Sequence, residues 1–230
     1  MQEGVILKYV DYKENDRIIT IFTKEGKISV IAKGLKNNKR FNSLDIGNWI
    51  NFQSIKTKGI PIITTTKLID SFAKTKEKYS LYVFFLLEII QKIQREGEDE
   101  DLLYKLLIYS LKNLEKNPKI YSSLFLVKIL IYEGVFIDLN NCNICKKKLS
   151  ESNRFIISSE GISHEECNMG NLYISLFSLK LLKYFSLFDI EINSINFEIE
   201  DEIKKETLFY MISFMENFLG KEINSKKYII

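Results

Sequence analysis

Over its first seventy or so residues the chain alternates apolar and polar positions with a period of two. Val5-Ile6-Leu7, then residues 17–23 (RIITIFT), then residues 27–32 (KISVIA) are short β-branched runs, with Lys24-Glu25-Gly26 as the turn between the last two. Residues 48–55 (NWINFQSI) alternate again, residues 56–61 turn the chain, and residues 62–69 make a fifth run. Five short strands in so little chain predict a small barrel of the OB type. An SH3-like barrel has the same number of strands and stands as the alternative.

From about residue 79 the period lengthens to that of a helix. Leu81, Phe84, Phe85 and Glu88 fit a helix running to about residue 95, which Gly97 and its acidic neighbours end. A second helix is expected over about 99–116. A third follows Pro118, a good first-turn residue, and runs to Glu133, where Gly134 stops it. Two more amphipathic stretches occupy 178–188 and 203–219, and a short basic tail covers 221–230. The fold class is therefore α+β: an N-terminal five-stranded OB-type β-barrel over 1–75, then an α-helical domain over 76–230 carrying a small zinc finger at about 140–170.

Composition narrows this little. With 230 residues and 46% apolar content there is material for sizeable cores. No run of eighteen apolar residues occurs, since Glu88 and Lys92 interrupt the longest candidate, so no membrane span is expected. The N-terminus has no basic start leading into an apolar stretch, which points to a cytoplasmic protein. A net charge of +3 does not announce a nucleic-acid binder; the placement of charge says more.

All three cysteines and the only histidine fall in one window: Cys142-Asn-Ile-Cys145, eighteen intervening residues, then His164-Glu-Glu-Cys167. Two paired half-sites supply the four N/S ligands of tetrahedral zinc and leave no open position, so the reading is one structural Zn²⁺ and no metal catalysis. Buried cysteines beside a stray histidine, or a redox C-x2-C, are the alternatives. The second needs a βαβ setting that is missing around Cys142. Residues 155–157 followed by Glu160-Gly161 predict a hairpin between the half-sites.

Lys33, Lys36, Lys39 and Arg40 follow one another with no acid between them, just after the third strand, with Gly34, Phe41 and Trp49 nearby. Cations beside aromatic rings on such a barrel suit single-strand binding; a solvated loop is the competing reading. Trp49 alternates with Ile50 and Phe52, which favours a core position for it. Lys56 and Lys58 extend the same basic set. Catalysis finds no support: the one histidine and every cysteine are claimed by the metal, and no Gly-x-Ser-x-Gly or phosphate-cradling loop occurs. Paired carboxylates such as Glu165-Glu166 or Asp99 and Asp101 sit in acidic runs expected to be solvated.

Taken together, Tyr12-Lys13-Glu14-Asn15-Asp16-Arg17, then Phe22-Thr23-Lys24-Glu25-Gly26, then Ala32-Lys33-Gly34 resemble the opening of the RecO family of bacterial recombination mediators. Leu87-Glu88, the placement of the cysteine cluster, and Leu219-Gly220-Lys221 with Ser225 are similar to later parts of that family, so the resemblance spans the chain. It implies a DNA-binding mediator of recombinational repair that is not an enzyme. Such a protein binds single- and double-stranded DNA, anneals complementary strands, partners RecR, engages the C-terminal tail of single-stranded-DNA-binding protein and assists RecA indirectly. Carried onto this chain, DNA contact falls on Arg17, Lys33, Lys36, Lys39 and Arg40, and metal ligation on Cys142, Cys145, His164 and Cys167. Three departures stand out: His164 replaces a usual cysteine, Lys146 replaces a glycine that often follows the second cysteine, and the barrel loop is lysine-rich where relatives often use arginine. A zinc-stabilised interaction module without an annealing role is the alternative function.

Overall fold

The computed structural model describes residues 1–34, 43–75, 79–93, 100–149, 154–158, 160–170 and 172–230. The chain divides into two compact units, Met1–Lys116 with Ile229 and Asn117–Tyr228 with Ile230.

In the first unit β1 (Gln2–Tyr12), β2 (Asp16–Thr23), β3 (Gly26–Ala32), β4 (Asn48–Ile55) and β5 (Ile62–Ser71) close a barrel in the order β1-β2-β3-β5-β4. All neighbours are antiparallel except β3 and β5, which meet parallel at Ile31 and Ile62. That order, with its one parallel seam, is the OB arrangement and separates it from the SH3-like alternative. Inward positions on the five strands supply the core: Ile6, Ile19, Ile21, Val30, Ile50, Phe52 and Ile63, joined by Leu44 from the loop before β4. β1 runs further than its apolar run suggested, because its last five residues are exposed and show no alternation to read.

Gly4 sits where β1 lies hard against β2. A Cβ there would stand 2.4 Å from Ile21 Cγ2 and 2.8 Å from the Phe22 carbonyl oxygen. Only a residue without a side chain lets the strands approach this closely.

Among the described residues, three helices complete the unit: α1 (Phe72–Thr75), α2 (Ser80–Lys92) and α3 (Asp101–Asn113). Gln91 donates to the Leu7 carbonyl at 3.1 Å, and the Lys27 ammonium donates to the Ile93 carbonyl, so β1 and β3 both grip the end of α2. A cation at a helix C-terminus also complements its dipole. Burial lowers the pKa of Lys27, against the opposing pull of Glu100. Glu100 itself is only 5% exposed, a departure from the solvated acidic run expected here, because it precedes α3 at the barrel wall. Trp49 is half-buried: its indole Nε1 donates to Tyr104 Oη at 2.9 Å, its ring stacks on Phe72 at 6.3 Å, and the Lys112 ammonium lies 4.6 Å from its centroid. The indole is committed to the seam between the barrel and α3.

In the second unit α4 (Pro118–Tyr132) is buried along its length from Ile120 to Leu130, as befits a helix apolar all round. Asn117 caps it, accepting from the Ile120 N–H at 3.2 Å, with Pro118 next in line. Gly134 lies just beyond its end at φ +69°. Lys128 is tolerated inside because its ammonium donates to the Ser186 carbonyl at 3.0 Å. β6 (Arg154–Ser158), β7 (Gly161–His164) and β8 (Tyr173–Ser175) form a small antiparallel sheet in the order β7-β6-β8. Then come α5 (Leu176–Leu187) and α6 (Asp201–Leu219), which pack on α4 and on each other. α5 begins two residues before the expected 178 because Ser175 caps it, and Glu206 of α6 accepts the Ser175 hydroxyl at 2.6 Å. No helix among the described residues is long and apolar enough to cross a membrane.

Gly4→Ala is expected to lower stability by about 1–3 kcal/mol through overpacking, read as a drop in the urea midpoint; an unchanged midpoint would show that β1 can move off β2.

Candidate metal centre and basic face of the barrel

The cysteine window folds as two short knuckles held together by backbone. Asn141 and Lys148 form an isolated bridge, the Cys142 N–H donates to the Lys147 carbonyl at 2.8 Å, and the Lys146 N–H donates to the Cys142 carbonyl at 3.0 Å. This tight return carries Cys142 and Cys145 on one side. The predicted hairpin is β6–β7, and the Asn143 N–H donates to the Ile162 carbonyl at 2.8 Å, so the hairpin docks on the first knuckle. At the end of β7, His164 leads into a 3-10 turn, Glu165–Cys167, which carries Cys167.

One ligand atom from each of Cys142, Cys145, His164 and Cys167 can be chosen so that all lie within 4.8 Å of one another. That is the scale of a four-coordinate site whose metal–sulfur bonds are about 2.3 Å. The imidazole is oriented for the task. Its Nε2 lies 3.1 Å from the Lys148 carbonyl, which only accepts, so the proton sits on Nε2. The Nδ1 lone pair then faces the sulfurs, 3.4 Å from Cys145 and 4.0 Å from Cys167. The Cys145 N–H points at Cys142 Sγ across 3.4 Å, the kind of donor that favours a thiolate.

Acid–base behaviour of the bare cluster is set by these contacts. For Cys142, burial pushes the thiol pKa up, but the N–H groups converging on its sulfur outweigh it and bring the value down to about 6. Cys167 goes the other way, to about 11, through burial and then its thiol neighbours Cys145 and Cys142. Burial lowers the pKa of His164, yet contacts with Cys145 and the Lys148 carbonyl leave it raised. The donor set, the fixed tautomer and the prepared thiolate fit a single thiophilic cation.

Lys146, next after the second cysteine, has φ +61°. This left-handed conformation costs a side chain about 1–2 kcal/mol, which explains why glycine suits the position. Glu165 and Glu166 are exposed, as expected of solvated acids.

On the barrel, Lys8, Lys24 and Lys67 are exposed at separate places, and four further lysines come to the end of β3. The Gly34 N–H donates to Asp16 Oδ1 at 3.0 Å, which brings the β1–β2 turn with Lys13 against Lys33. The Ile31 N–H donates to the Pro61 carbonyl at 2.8 Å, which brings in the turn carrying Lys56 and Lys58. Lys13, Lys33, Lys56 and Lys58 are all exposed. Lys36, Lys39 and Arg40 lie outside the described residues. Arg17 differs from these lysines. Its Nε donates to Asp11 Oδ1 at 2.8 Å and its guanidinium lies over the Tyr9 ring, 4.1 Å from the centroid. Neither Lys13 nor Tyr9 stands out in the sequence as a site residue; the signal for both lies in the length of β1, hidden because its tail is exposed on both faces.

Comparison with known proteins agrees with this architecture. A family model described as the N terminal of recombination protein O matches residues 1–72, and one described as its C terminal matches residues 78–227. A protein named DNA repair protein RecO from Clostridium acetobutylicum is 31% identical over 228 residues, covering 95% of this chain and 92% of its own length. One of the same name from Clostridium perfringens is 32% identical over 224 residues, covering 92% and 89%. A third, from Shouchella clausii, is 24% identical over 240 residues, covering 99% and 93%.

Two outcomes are expected here. Lys146→Gly raises stability by roughly 1 kcal/mol, read from denaturant titration, since strain relief exceeds the entropy cost of glycine. Metal binding releases protons at neutral pH, because Cys167 is protonated until about pH 11; affinity therefore weakens as pH falls, most steeply below about 6 where Cys142 also reprotonates. Competition with a chelator at several pH values reads the slope.

Proposed function

Because the chain belongs to the RecO family and so to the proteins of DNA repair, we propose that it acts as a recombination mediator that binds single- and double-stranded DNA on its barrel and anneals complementary strands. The observation that carries this reading is the gathering of exposed lysines around the end of β3, on a barrel of the oligonucleotide-binding type. Lysines act on phosphate as point charges, which suits backbone binding without sequence choice. Neutralising two backbones at once lowers the repulsion that keeps complementary strands apart, and no covalent step is needed. The protein in this reading is not an enzyme.

We assign zinc as the ion of the Cys142, Cys145, His164 and Cys167 cluster, on the strength of its three-sulfur, one-nitrogen donor set. Bound there, zinc would cross-link the two knuckles and supply folding energy. The second unit, so braced, offers surfaces to protein partners: RecR, the acidic tail of single-stranded-DNA-binding protein and, through them, RecA. Zinc chemistry and DNA contact are thereby divided between two parts of the chain.

Lys33, Lys36, Lys39 and Arg40 replaced together by Ala are expected to weaken single-strand binding and to flatten the log–log salt slope by about 0.7 for each phosphate no longer neutralised. An unaltered slope in a filter-binding or anisotropy series would remove DNA contact from these four residues. Strand annealing by the same variant should slow in parallel. Chelation of the metal is expected to lower the melting temperature, with salt-dependent binding to single strands retained as long as the barrel stays folded.

A further inference from the structure

Arg17, at the basic end of the barrel, is held by the shape of its guanidinium and not only by its charge. Register places it opposite Asp11 on β1 and Ala32 on β3, and Tyr9 stands opposite Ile19. Paired residues share a face, so Tyr9, Asp11, Arg17 and the core residue Ile19 lie on one side of the β1–β2 ribbon. That side is the continuation of the barrel interior toward its mouth. There the guanidinium lies 4.1 Å from the centroid of the Tyr9 ring, and Asp11 Oδ1 takes its Nε–H at 2.8 Å. Tyr9 is 36% exposed, the Arg17 side chain 25% and that of Asp11 70%. Plane and ring are thus packed together but not closed off from solvent.

The charge of this group argues against a phosphate anchor. A carboxylate in direct contact cancels most of the field that Arg17 would place on a phosphate, and the Nε–H that could point to one is already engaged. A guanidinium plane, by contrast, is weakly hydrated and stacks well on π faces, and bonding Nε to Asp11 fixes its orientation without occupying its flat side. Single-stranded nucleic acid offers unstacked bases that lie on arginine or aromatic planes; a duplex keeps its bases stacked on one another. Lys33, one residue past the partner Ala32, is exposed at the same end of the ribbon.

We propose that Arg17, laid on Tyr9 and neutralised by Asp11, is a base-stacking platform for single strands and not a phosphate contact. The proposal rests on the DNA-binding reading above and gives it a residue that distinguishes single strands from duplex.

The test uses the full chain with a labelled oligo-dT and a matched abasic oligonucleotide, each titrated across a range of salt. Wild type is expected to prefer oligo-dT. Arg17→Lys keeps the charge and loses the plane; it should bind oligo-dT at least about fivefold more weakly, bind the abasic strand as before, and keep the wild-type salt slope. Tyr9→Leu, a change at an exposed position, carries the same expectation and decides the matter if Arg17→Lys does not fold. Lys33→Ala should instead weaken both oligonucleotides alike and flatten the slope. If Arg17→Lys and Tyr9→Leu leave the preference for oligo-dT intact, or weaken both strands equally, the platform is refuted while DNA binding by the lysines stands. If wild type binds neither oligonucleotide, the DNA-binding reading itself fails and the platform goes with it.

Discussion

Closure of the barrel depends on one short parallel contact, Ile31 against Ile62, where the Ile31 N–H donates to the carbonyl of Pro61. Proline has no N–H to give, so it can only accept, and a position at the very start of an added strand is where a sheet tolerates it. Through this contact β5 joins β3, and β4 then returns to β1. Without it the five strands would make an open sheet with β3 at one edge and β5 unable to reach it. The same contact carries the turn with Lys56 and Lys58 to the end of β3, beside Lys33 and the β1–β2 turn. Barrel closure thus brings Lys56 and Lys58, distant in sequence, to the same end as Lys33.

How far the sequence reveals this depends on the range of each interaction. The strands from Asp16 to Ser71 are legible because each alternates or carries β-branched residues over at least several positions, and the turns between them contain glycine or proline. The parallel seam is not legible, since a single pairing between distant positions leaves no pattern. The tail of β1, the four residues of α1 and the three of β8 are too short or too exposed to show a period. The four candidate ligands are read from spacing alone, because chelation needs particular side chains. The groups that prepare them, the Cys145 N–H and the Lys148 carbonyl, are backbone and so identical for every sequence. Glu100 shows the limit of reading charge by composition: it belongs to an acidic run yet is buried, because the helix it introduces is laid against the barrel.

Two kinds of order are built into the chain. In the barrel unit, shape comes from strand pairing and from Gly4, where the lack of a side chain permits close approach. In the cysteine window Leu149, Phe155 and Ile162 are buried, and the backbone accepts strain at Lys146 in the tight turn that follows the second cysteine. Cross-linking by an ion held there would offset that strain and let small knuckles be rigid.

Trp49 is the chain's single tryptophan, and its place in the seam has a practical consequence. Light absorbed selectively by indole reports from one spot, between Tyr104, Phe72 and the Lys112 ammonium. The emission maximum and its quenching by small solutes therefore track how tightly α3 sits on the barrel, while the aromatic group at the barrel mouth is a tyrosine and absorbs at shorter wavelength. A chromophore that is sensitive at the helix seam and lies apart from the basic end makes loosening of the first unit visible without any label.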